Sequence, residues 1–232
     1  MRLSIYRYNP DADAKPYMQN YEIQPQPGDR MLLDILERIR AIDDSLAYRR
    51  SCREGICGSD GMNINGRNGL ACTTRISEVK EPVVLRPLPS FPAIRDLVVD
   101  LSRFFRQYHS VHPYVVDPAP TRPEKERLQT PEQREEINGL YECILCACCS
   151  SQCPSYWWNP EKFLGPAALI QACRFIVDSR DKATEARLDQ LNDVNKLFRR
   201  RVIMNCANVC PKGLNPAAAI ERIRQAMLKA SL

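Results

Sequence analysis

The sequence predicts an α+β protein in which a small domain built on a β-sheet precedes an all-helical domain. Three observations support this prediction: alternating apolar residues near the N-terminus, helical repeats of apolar residues in the second half, and cysteines concentrated in three segments. The chain has 232 residues, of which 44% are hydrophobic and 26% are charged. This length and composition suit two domains that each bury a core.

The N-terminal domain shows the pattern of a β-grasp ferredoxin. Apolar residues at helical spacing predict one helix from Leu32 to Ile42, and Asn65-Gly66 is a turn signal between two short strands. Strands are expected at 3–8, 17–23, 62–65, 70–74 and 82–86. A strand hairpin, a helix and further strands around a cysteine loop match the β-grasp arrangement.

The second half is predicted to be helical. The apolar stripe from Leu97 to Tyr108 predicts an amphipathic helix that faces a core, and a proline-rich passage follows it. Thr130, Pro131 and Gln133 form a capping box. Further helices are expected at 166–178, at 183–191 and from Asn215-Pro216 onward. We therefore predict domains at 1–96 and 131–232, joined by a linker helix and connection at 97–130.

The cysteine run of residues 143–153 has a spacing typical of iron–sulfur proteins. It reads C-x2-C-x2-C-x3-C-P, in which the fourth cysteine ligates a different cluster from the first three. A second group, Cys206 and Cys210, ends in the same Cys-Pro pair. We expect Cys210 to complete the cluster of Cys143, Cys146 and Cys149, and Cys206 to join Cys153 at a second cubane-type site.

Two other uses of these cysteines compete with this interpretation. Disulfides would require export, and the N-terminus shows no signal peptide pattern. Zinc also takes four thiolates, but zinc sites usually consist of two C-x2-C pairs. Three cysteines within seven residues, followed by Cys-Pro, favour a cubane cluster.

A further cysteine loop lies in the N-terminal domain. Cys52 and Cys57 are separated by four residues and Cys72 follows at a distance, as in plant-type 2Fe–2S proteins, but Asp60 takes the place of the third cysteine. Glycines in this loop permit tight wrapping around a cluster. The carboxylate of Asp60 is either the fourth ligand or a solvated loop acid, and the spacing favours ligation.

Several classes of function are excluded or disfavoured. No apolar run is long enough to span a membrane. The net charge of +5 is mild, and no nucleic acid partner is expected. The excess of basic residues near the C-terminus suits anionic lipids, an acidic partner or simply a solvated helical face. The sequence has no nucleotide or flavin motif, and its two histidines make imidazole catalysis improbable.

The motifs together resemble the succinate dehydrogenase iron–sulfur subunit family. The resemblance covers nearly the whole chain and rests on SCREGICGSDG, DLVVD, YECILCACCSSQCPSYWWNP, SRD and MNCANVCPKGLNP. It implies a 2Fe–2S domain and a helical domain with a 4Fe–4S and a 3Fe–4S cluster. It also implies partners: a flavoprotein subunit with FAD that oxidises succinate, membrane anchor subunits of the cytochrome b type, and ubiquinone. The implied location is the cytoplasmic side of a bacterial inner membrane.

The resemblance also implies the cluster ligands. The 2Fe–2S ligands are Cys52, Cys57, Asp60 and Cys72, and the 4Fe–4S ligands are Cys143, Cys146, Cys149 and Cys210. For the 3Fe–4S cluster, Cys153 and Cys206 match the family. Cys148, off the ligand spacing, is expected to be a packing residue.

The third 3Fe–4S ligand is where the sequence departs from the family. The position six residues before Cys206 holds Arg200, whose guanidinium cannot bind iron, and the usual histidine after it is Arg201. The last cluster is therefore absent or unstable, or another thiol such as Cys173 replaces the ligand, or the sequence carries a substitution or error there. A cysteine such as Cys173 is more often a small apolar residue of the core.

The resemblance places a quinone site at Pro154, Ser155, Trp158 and Ile203. The indole N–H of Trp158 can bond a quinone oxygen, and the Trp157-Trp158 pair also suits a surface that meets membrane subunits. A fumarate reductase subunit is the nearest alternative, and a soluble ferredoxin-like carrier is a more distant one.

Overall fold

A computed structural model describes residues 1–117, 126–199 and 203–230 of the chain. Two compact units are distinguished by their contacts. The first unit comprises residues 1–101, 144–152 and 209–212, and the second comprises 102–143, 153–208 and 213–232, within the described ranges.

The first unit is built on a mixed five-stranded sheet with the strand order β2-β1-β5-β3-β4. The strands are β1 (Arg2–Arg7), β2 (Tyr17–Glu22), β3 (Gly61–Ile64), β4 (Arg67–Leu70) and β5 (Val83–Arg86). Strand β1 pairs antiparallel with β2 and parallel with β5. Leu3 and Ile5 alternate with more exposed neighbours, so one face of the sheet is buried. The predicted hairpin of β1 and β2 is confirmed.

Helix α1 (Leu32–Ile42) confirms the helix predicted for the first unit. Its apolar stripe is buried, whereas Ile42 at its end is exposed. The backbone N–H groups of Leu32 and Leu33 donate to the carbonyls of Thr74 and Ala71, at 2.8 and 3.0 Å. These bonds satisfy free donors of the first helical turn and tie α1 to the segment that carries Cys72.

Two sequence-based predictions in the first unit are wrong. The strand expected at 70–74 is β4, which begins at Arg67 because Asn65 and Gly66 both have positive φ and form a two-residue turn. The helix expected from Leu97 begins only at Ser102. A small hairpin precedes it, with β6 (Ala93–Arg95) and β7 (Val98–Val99) reversing at Asp96, where φ is 46°.

The second unit is helical in its described residues. Its helices are α2 (Ser102–Ser110), α3 (Pro131–Glu135), α5 (Pro154–Trp158), α6 (Gly165–Ile176), α7 (Thr184–Leu191), α8 (Asn205–Asn208) and α9 (Pro216–Ala230). Helix α4 (Cys148–Ser151) belongs to the first unit. Helix α6 is buried almost all round and contacts α2, α7 and α9, so it is the centre of the core.

The helix starts follow from local sequence. Thr130 Oγ1 accepts from the N–H of Gln133 at 3.2 Å, and the Gln133 side chain accepts from the N–H of Thr130 at 3.0 Å, which confirms the capping box. Asn215 Oδ1 accepts from the N–H of Ala218 at 3.1 Å at the start of α9. On α2, Phe104 is buried but Phe105 is exposed, so only part of the predicted stripe faces the core.

Candidate iron–sulfur sites

The loop that follows α1 wraps around the sulfur of Cys52. The N–H groups of Glu54, Ile56 and Cys57 point at Cys52 Sγ from 3.5, 3.3 and 3.2 Å. Left-handed conformations at Arg53 and Gly55 turn these donors to one side. The backbone hydrogen bonds from Glu54 and Cys57 lower the pKa of Cys52 to about 7, which favours the thiolate that binds iron.

The three cysteines and Asp60 of the predicted 2Fe–2S site are brought together. Cys52 interacts with Cys57 and with Cys72, and Cys72 donates its N–H to Asp60 Oδ2 at 2.6 Å. Burial, followed by the hydrogen bond with Asp60, raises the pKa of Cys72 to about 12. Metal binding to such a thiol must displace its proton.

Asp60 is placed as a ligand would be. The residue is 3% exposed, and its Oδ1 atom is buried without a hydrogen-bond partner in the part of the chain that the structure describes. A buried carboxylate oxygen without a partner is costly, and an iron atom would satisfy it. The donor set of three thiols and one carboxylate therefore fits a 2Fe–2S cluster, and a solvated loop acid does not describe this side chain.

Three of the predicted 4Fe–4S ligands surround Cys148 in the first unit. A hydrogen bond with Cys146, burial, and the charges of Cys146, Cys149 and Cys210 raise the pKa of Cys148. Cys148 has no exposed surface, as expected for a packing residue. Cys143, the remaining predicted ligand, belongs to the second unit, next in sequence to Ile144 of the first.

The backbone of the CILCACC segment is bent as a cluster loop requires. Leu145 and Ala147 have φ values of 53° and 64°, which is unusual for residues with a Cβ. They alternate with Cys146 and turn successive N–H groups toward one side, a geometry that binds anionic groups. Such strain persists where the surrounding structure enforces it.

The cysteines assigned to the third cluster are buried in the second unit. Cys153 and Cys206 are 6% and 1% exposed. Arg200 and Arg201 lie outside the described residues. Cys173 is fully buried on α6, where burial raises its pKa to about 11, as for a thiol in a protein core.

A cavity of about 200 Å³ lies beside the predicted quinone residues in the second unit. Its lining residues are Ser155, Trp158, Asn159, Val194, Phe198 and Arg199. Two of the four predicted residues, Ser155 and Trp158, line it, whereas Pro154 and Ile203 are absent from its described lining. Sequence reasoning missed Val194 and Phe198, because a cavity wall formed by a distant segment leaves no local signal.

The described ranges contain neither a compact site for a single metal ion nor a helix that could span a membrane. Across residues 1–117, 126–199 and 203–230, no three His, Cys, Asp or Glu side chains converge as ligands of a single metal ion. The ligands of an iron–sulfur cluster are distributed over several iron atoms. No helix in the same ranges is long and apolar enough to cross a membrane.

The fold and these sites define an electron-transfer protein that binds iron–sulfur clusters. Residues 2–106 match the model of the "2Fe-2S iron-sulfur cluster binding domain", and residues 142–215 match the "4Fe-4S dicluster domain". The match supports all three expected clusters, the 3Fe–4S cluster included, so instability rather than absence of that cluster is the expectation left to test.

Similar proteins identify the family. The succinate dehydrogenase iron–sulfur subunit of Coxiella burnetii is 56% identical over 99% of this chain and 97% of its own. The mitochondrial succinate dehydrogenase [ubiquinone] iron–sulfur subunit 1 of Oryza sativa subsp. japonica is 52% identical over 98% of this chain and 82% of its own. A chain of the Mycobacterium smegmatis Sdh1 complex in the apo form has a TM-score of 0.88 at 26% identity, covering 99% of this chain and 95% of that one. The chain belongs to the succinate dehydrogenase iron–sulfur subunit family.

Proposed function

We propose that this chain carries electrons within a succinate dehydrogenase complex. It would receive them from an FAD-bearing flavoprotein that oxidises succinate, and it would deliver them to ubiquinone at the membrane. The bound clusters supply one-electron redox chemistry, which lets a two-electron oxidation be delivered in single steps. The observation that best supports it is Asp60 Oδ1, which lies beside three thiols and is buried without a partner among the described residues, where a bound iron atom would satisfy it.

The ligand sets belong to this proposal. Cys52, Cys57, Asp60 and Cys72 would hold the 2Fe–2S cluster, and Cys143, Cys146, Cys149 and Cys210 the 4Fe–4S cluster. Cys153 and Cys206 would hold the 3Fe–4S cluster together with a third donor. The clustering of thiols around Cys148 and the wrapped loop at Cys52 support these assignments. We also propose the domain boundaries 1–96, 97–130 and 131–232. The matched range 2–106 covers the first of these and the start of the linker, and the range 142–215 lies within the last.

The quinone end and the membrane partners are also proposed. Trp158 is 66% exposed beside the 200 Å³ cavity, which is smaller than the roughly 300 Å³ at which ligand pockets begin. We infer that cytochrome b-type anchor subunits complete the ubiquinone pocket around Trp158, Ser155, Pro154 and Ile203. The complex would then lie on the cytoplasmic side of a bacterial inner membrane.

Metal and sulfide analysis of the purified complex tests the proposal most directly. We expect iron and acid-labile sulfide in comparable amounts, a brown colour, and no stoichiometric zinc. Zinc without sulfide would contradict the cluster assignment, because four thiolates also form zinc sites.

The alternatives make different predictions. A soluble carrier would elute alone, without flavin. A fumarate reductase subunit is not favoured by the relatives, which are named as succinate dehydrogenase subunits. Comparing the rates of succinate oxidation and fumarate reduction in the isolated complex separates these two enzymes.

A further inference from the structure

The loop that holds Cys57 touches the loop that holds Cys146 within the first unit. A Cβ atom placed on Gly58 would lie 2.8 Å from the Cβ of Cys146 and 3.0 Å from the carbonyl oxygen of Ile144. Real Cβ atoms essentially never lie closer than 3.0 Å to another heavy atom, so a side chain at Gly58 would force one of the two segments to shift. Gly58 also has a φ of 68°, which favours glycine for a separate reason.

Gly61 makes a second close approach to the same segment. A Cβ atom on Gly61 would lie 3.0 Å from the carbonyl oxygen of Cys146 and 3.6 Å from Cys148 Sγ. The φ of Gly61 is outside the left-handed region, so its backbone conformation does not require glycine. The close approach is therefore what a side chain at this position would disturb.

Side-chain hydrogen bonds hold residues 144–152, the Cys146 segment, in this position. Asn68 on β4 donates its Nδ2 to the carbonyl oxygen of Cys148 at 3.1 Å, and Asn63 on β3 donates to Asn68 Oδ1 at 2.8 Å. Ser151 Oγ donates to the carbonyl oxygen of Pro89 at 2.6 Å. Two of these bonds are fully buried or nearly so, and breaking a buried bond leaves an unsatisfied polar group.

We propose that Gly58 and Gly61 are positioning residues that set the separation between the 2Fe–2S and 4Fe–4S clusters. Gly58 directly follows Cys57 and Gly61 directly follows Asp60, so each glycine joins a ligand of one cluster to a contact with Cys146, a ligand of the other. The inference rests on the ligand assignments of the proposed function.

The consequence of this contact is fast electron transfer. With both clusters bound, one electron would pass from the reduced 2Fe–2S cluster to the oxidised 4Fe–4S cluster, so that the first is oxidised, the second is reduced, and no bond is made or broken. The rate of such a transfer falls steeply as the gap between donor and acceptor widens. Absence of a side chain at Gly58 and Gly61 keeps that gap short.

The chain offers a matched control for each variant. Gly66→Ala is the control for Gly58→Ala, because Gly66 has a φ of 87° but nothing within 4 Å of its Cβ position. Gly69→Ala is the control for Gly61→Ala, because Gly69 is outside the left-handed region and the nearest atom to its Cβ position is 3.7 Å away. Comparing each variant with its control distinguishes an effect of backbone strain from an effect of displacing the segment that contains Cys146.

The test measures the magnetic interaction between the two clusters in the purified complex. Iron and sulfide content is measured first, and the EPR spectrum is then recorded with both clusters reduced. We expect Gly58→Ala and Gly61→Ala to lose part of the spin–spin broadening and relaxation enhancement, and Gly66→Ala and Gly69→Ala to match the unsubstituted protein. An unchanged interaction in Gly58→Ala and Gly61→Ala at full iron content would overturn the inference alone.

Other outcomes are also decisive. If Gly58→Ala loses iron, Gly61→Ala decides, since its contact is less severe. If both lose iron, hydrogen exchange of the amides from Ala147 to Gln152 decides: faster exchange in both, but in neither control, supports the inference, and unchanged exchange overturns it. A complex without iron or sulfide before any substitution would overturn both the proposed function and this inference.

Discussion

At the scale of single residues, Asp60 is the clearest departure from an all-thiolate site. Its carboxylate has two different surroundings: Oδ2 accepts the N–H of Cys72, and Oδ1 has no partner among the described residues. A carboxylate is a harder donor than a thiolate, so its bond to iron is less covalent than an iron–sulfur bond. Under the proposed ligand assignment, Asp60 would therefore both shape the loop and adjust the 2Fe–2S cluster.

We expect Asp60→Ala to weaken the 2Fe–2S site, since it removes a donor and the acceptor for Cys72 N–H. Asp60→Cys should keep the cluster and shift its reduction potential. The visible spectrum and the EPR signal of the reduced cluster check both. Asp44→Ala, at an exposed acid of the same unit, is the control. An unchanged cluster spectrum in Asp60→Ala would show that the acid is not a ligand.

Arg200 leads to a prediction about the 3Fe–4S cluster. Because a guanidinium cannot ligate iron and keeps its charge, we expect this cluster to be the least stable of the three. Arg200→Cys should increase its retention. Low-temperature EPR of the oxidised complex measures it, because the oxidised 3Fe–4S cluster is paramagnetic while the other two are silent.

The opposite results are equally informative. A stable, full-intensity 3Fe–4S signal with Arg200 in place would contradict the prediction. Its disappearance in Cys173→Ser would then identify Cys173 as the substitute ligand, although the burial of Cys173 on α6 already explains it as a core residue.

At the scale of elements, a buried arginine joins the parts of the first unit. Arg7 on β1 donates to Asp96 Oδ1 at 3.1 Å, to Asp43 Oδ2 at 2.7 Å, to Tyr21 at 2.6 Å and to Ser45 at 2.6 Å. These partners lie in the β6–β7 turn, after α1 and on β2. The network therefore holds in place the hairpin and the helix that precede the Cys52 loop.

We expect Arg7→Met to lower the free energy of unfolding by roughly 3–5 kcal/mol, because it leaves the carboxylate of Asp96 buried without its charge partner. Arg2→Met is the control on the same strand, since the pair of Arg2 and Glu81 is exposed and contributes about 0–1 kcal/mol. Urea unfolding measures both. Equal losses of unfolding free energy in the two variants would show that burial of the ion pair does not determine its contribution to stability.

The same network makes a prediction about pH. Hydrogen bonds from Ser45, Tyr21 and Arg7 hold the pKa of Asp43 well below its ordinary value. A depressed pKa adds stability above the unfolded-state pKa of about 3.9, and this contribution is lost as the pH falls through the folded-state pKa. Asp43→Asn should therefore reduce protection of the β1 and β2 amides at pH 7, and the difference should shrink below about pH 4. A difference that does not change with pH would contradict this.

Local patterns predicted local structure well, and contacts between distant segments poorly. The helix at Leu32–Ile42 and the capping box at Thr130 depend on neighbouring residues, so the sequence was sufficient. The helix expected from Leu97 exists, but its predicted start was wrong, because Val98 and Val99 form a strand that pairs with one five residues earlier. The spacing of Cys52, Cys57, Asp60 and Cys72 was enough to predict that they lie close together, and their role as ligands stays a prediction. The contact of Gly58 with Cys146 joins residues far apart in sequence, so no local pattern predicted it.

At the scale of the whole molecule, the chain has surfaces suited to several partners. Trp157, Trp158, Phe198, Ile203 and Met204 of the second unit are exposed apolar residues. Aromatic side chains of this kind are enriched in interfaces and near membranes. The chain belongs to the family of iron–sulfur subunits of succinate dehydrogenase, a multi-subunit complex, so we expect another subunit to oxidise succinate.

We expect the chain to be purified from membranes together with a flavin-bearing subunit and hydrophobic subunits, because its activity depends on both. Within that complex, Trp158→Ala should lower the rate of succinate-dependent ubiquinone reduction. The rate of electron transfer from the flavoprotein to a soluble acceptor should stay unchanged. Leu128→Ala, at an exposed apolar residue of the second unit, is the control. Recovery of the native chain as a free monomer without flavin would contradict the assembly. Equal loss with both acceptors in Trp158→Ala would instead place the tryptophan in assembly, because damage confined to the quinone end cannot slow a reaction that ends at the flavin.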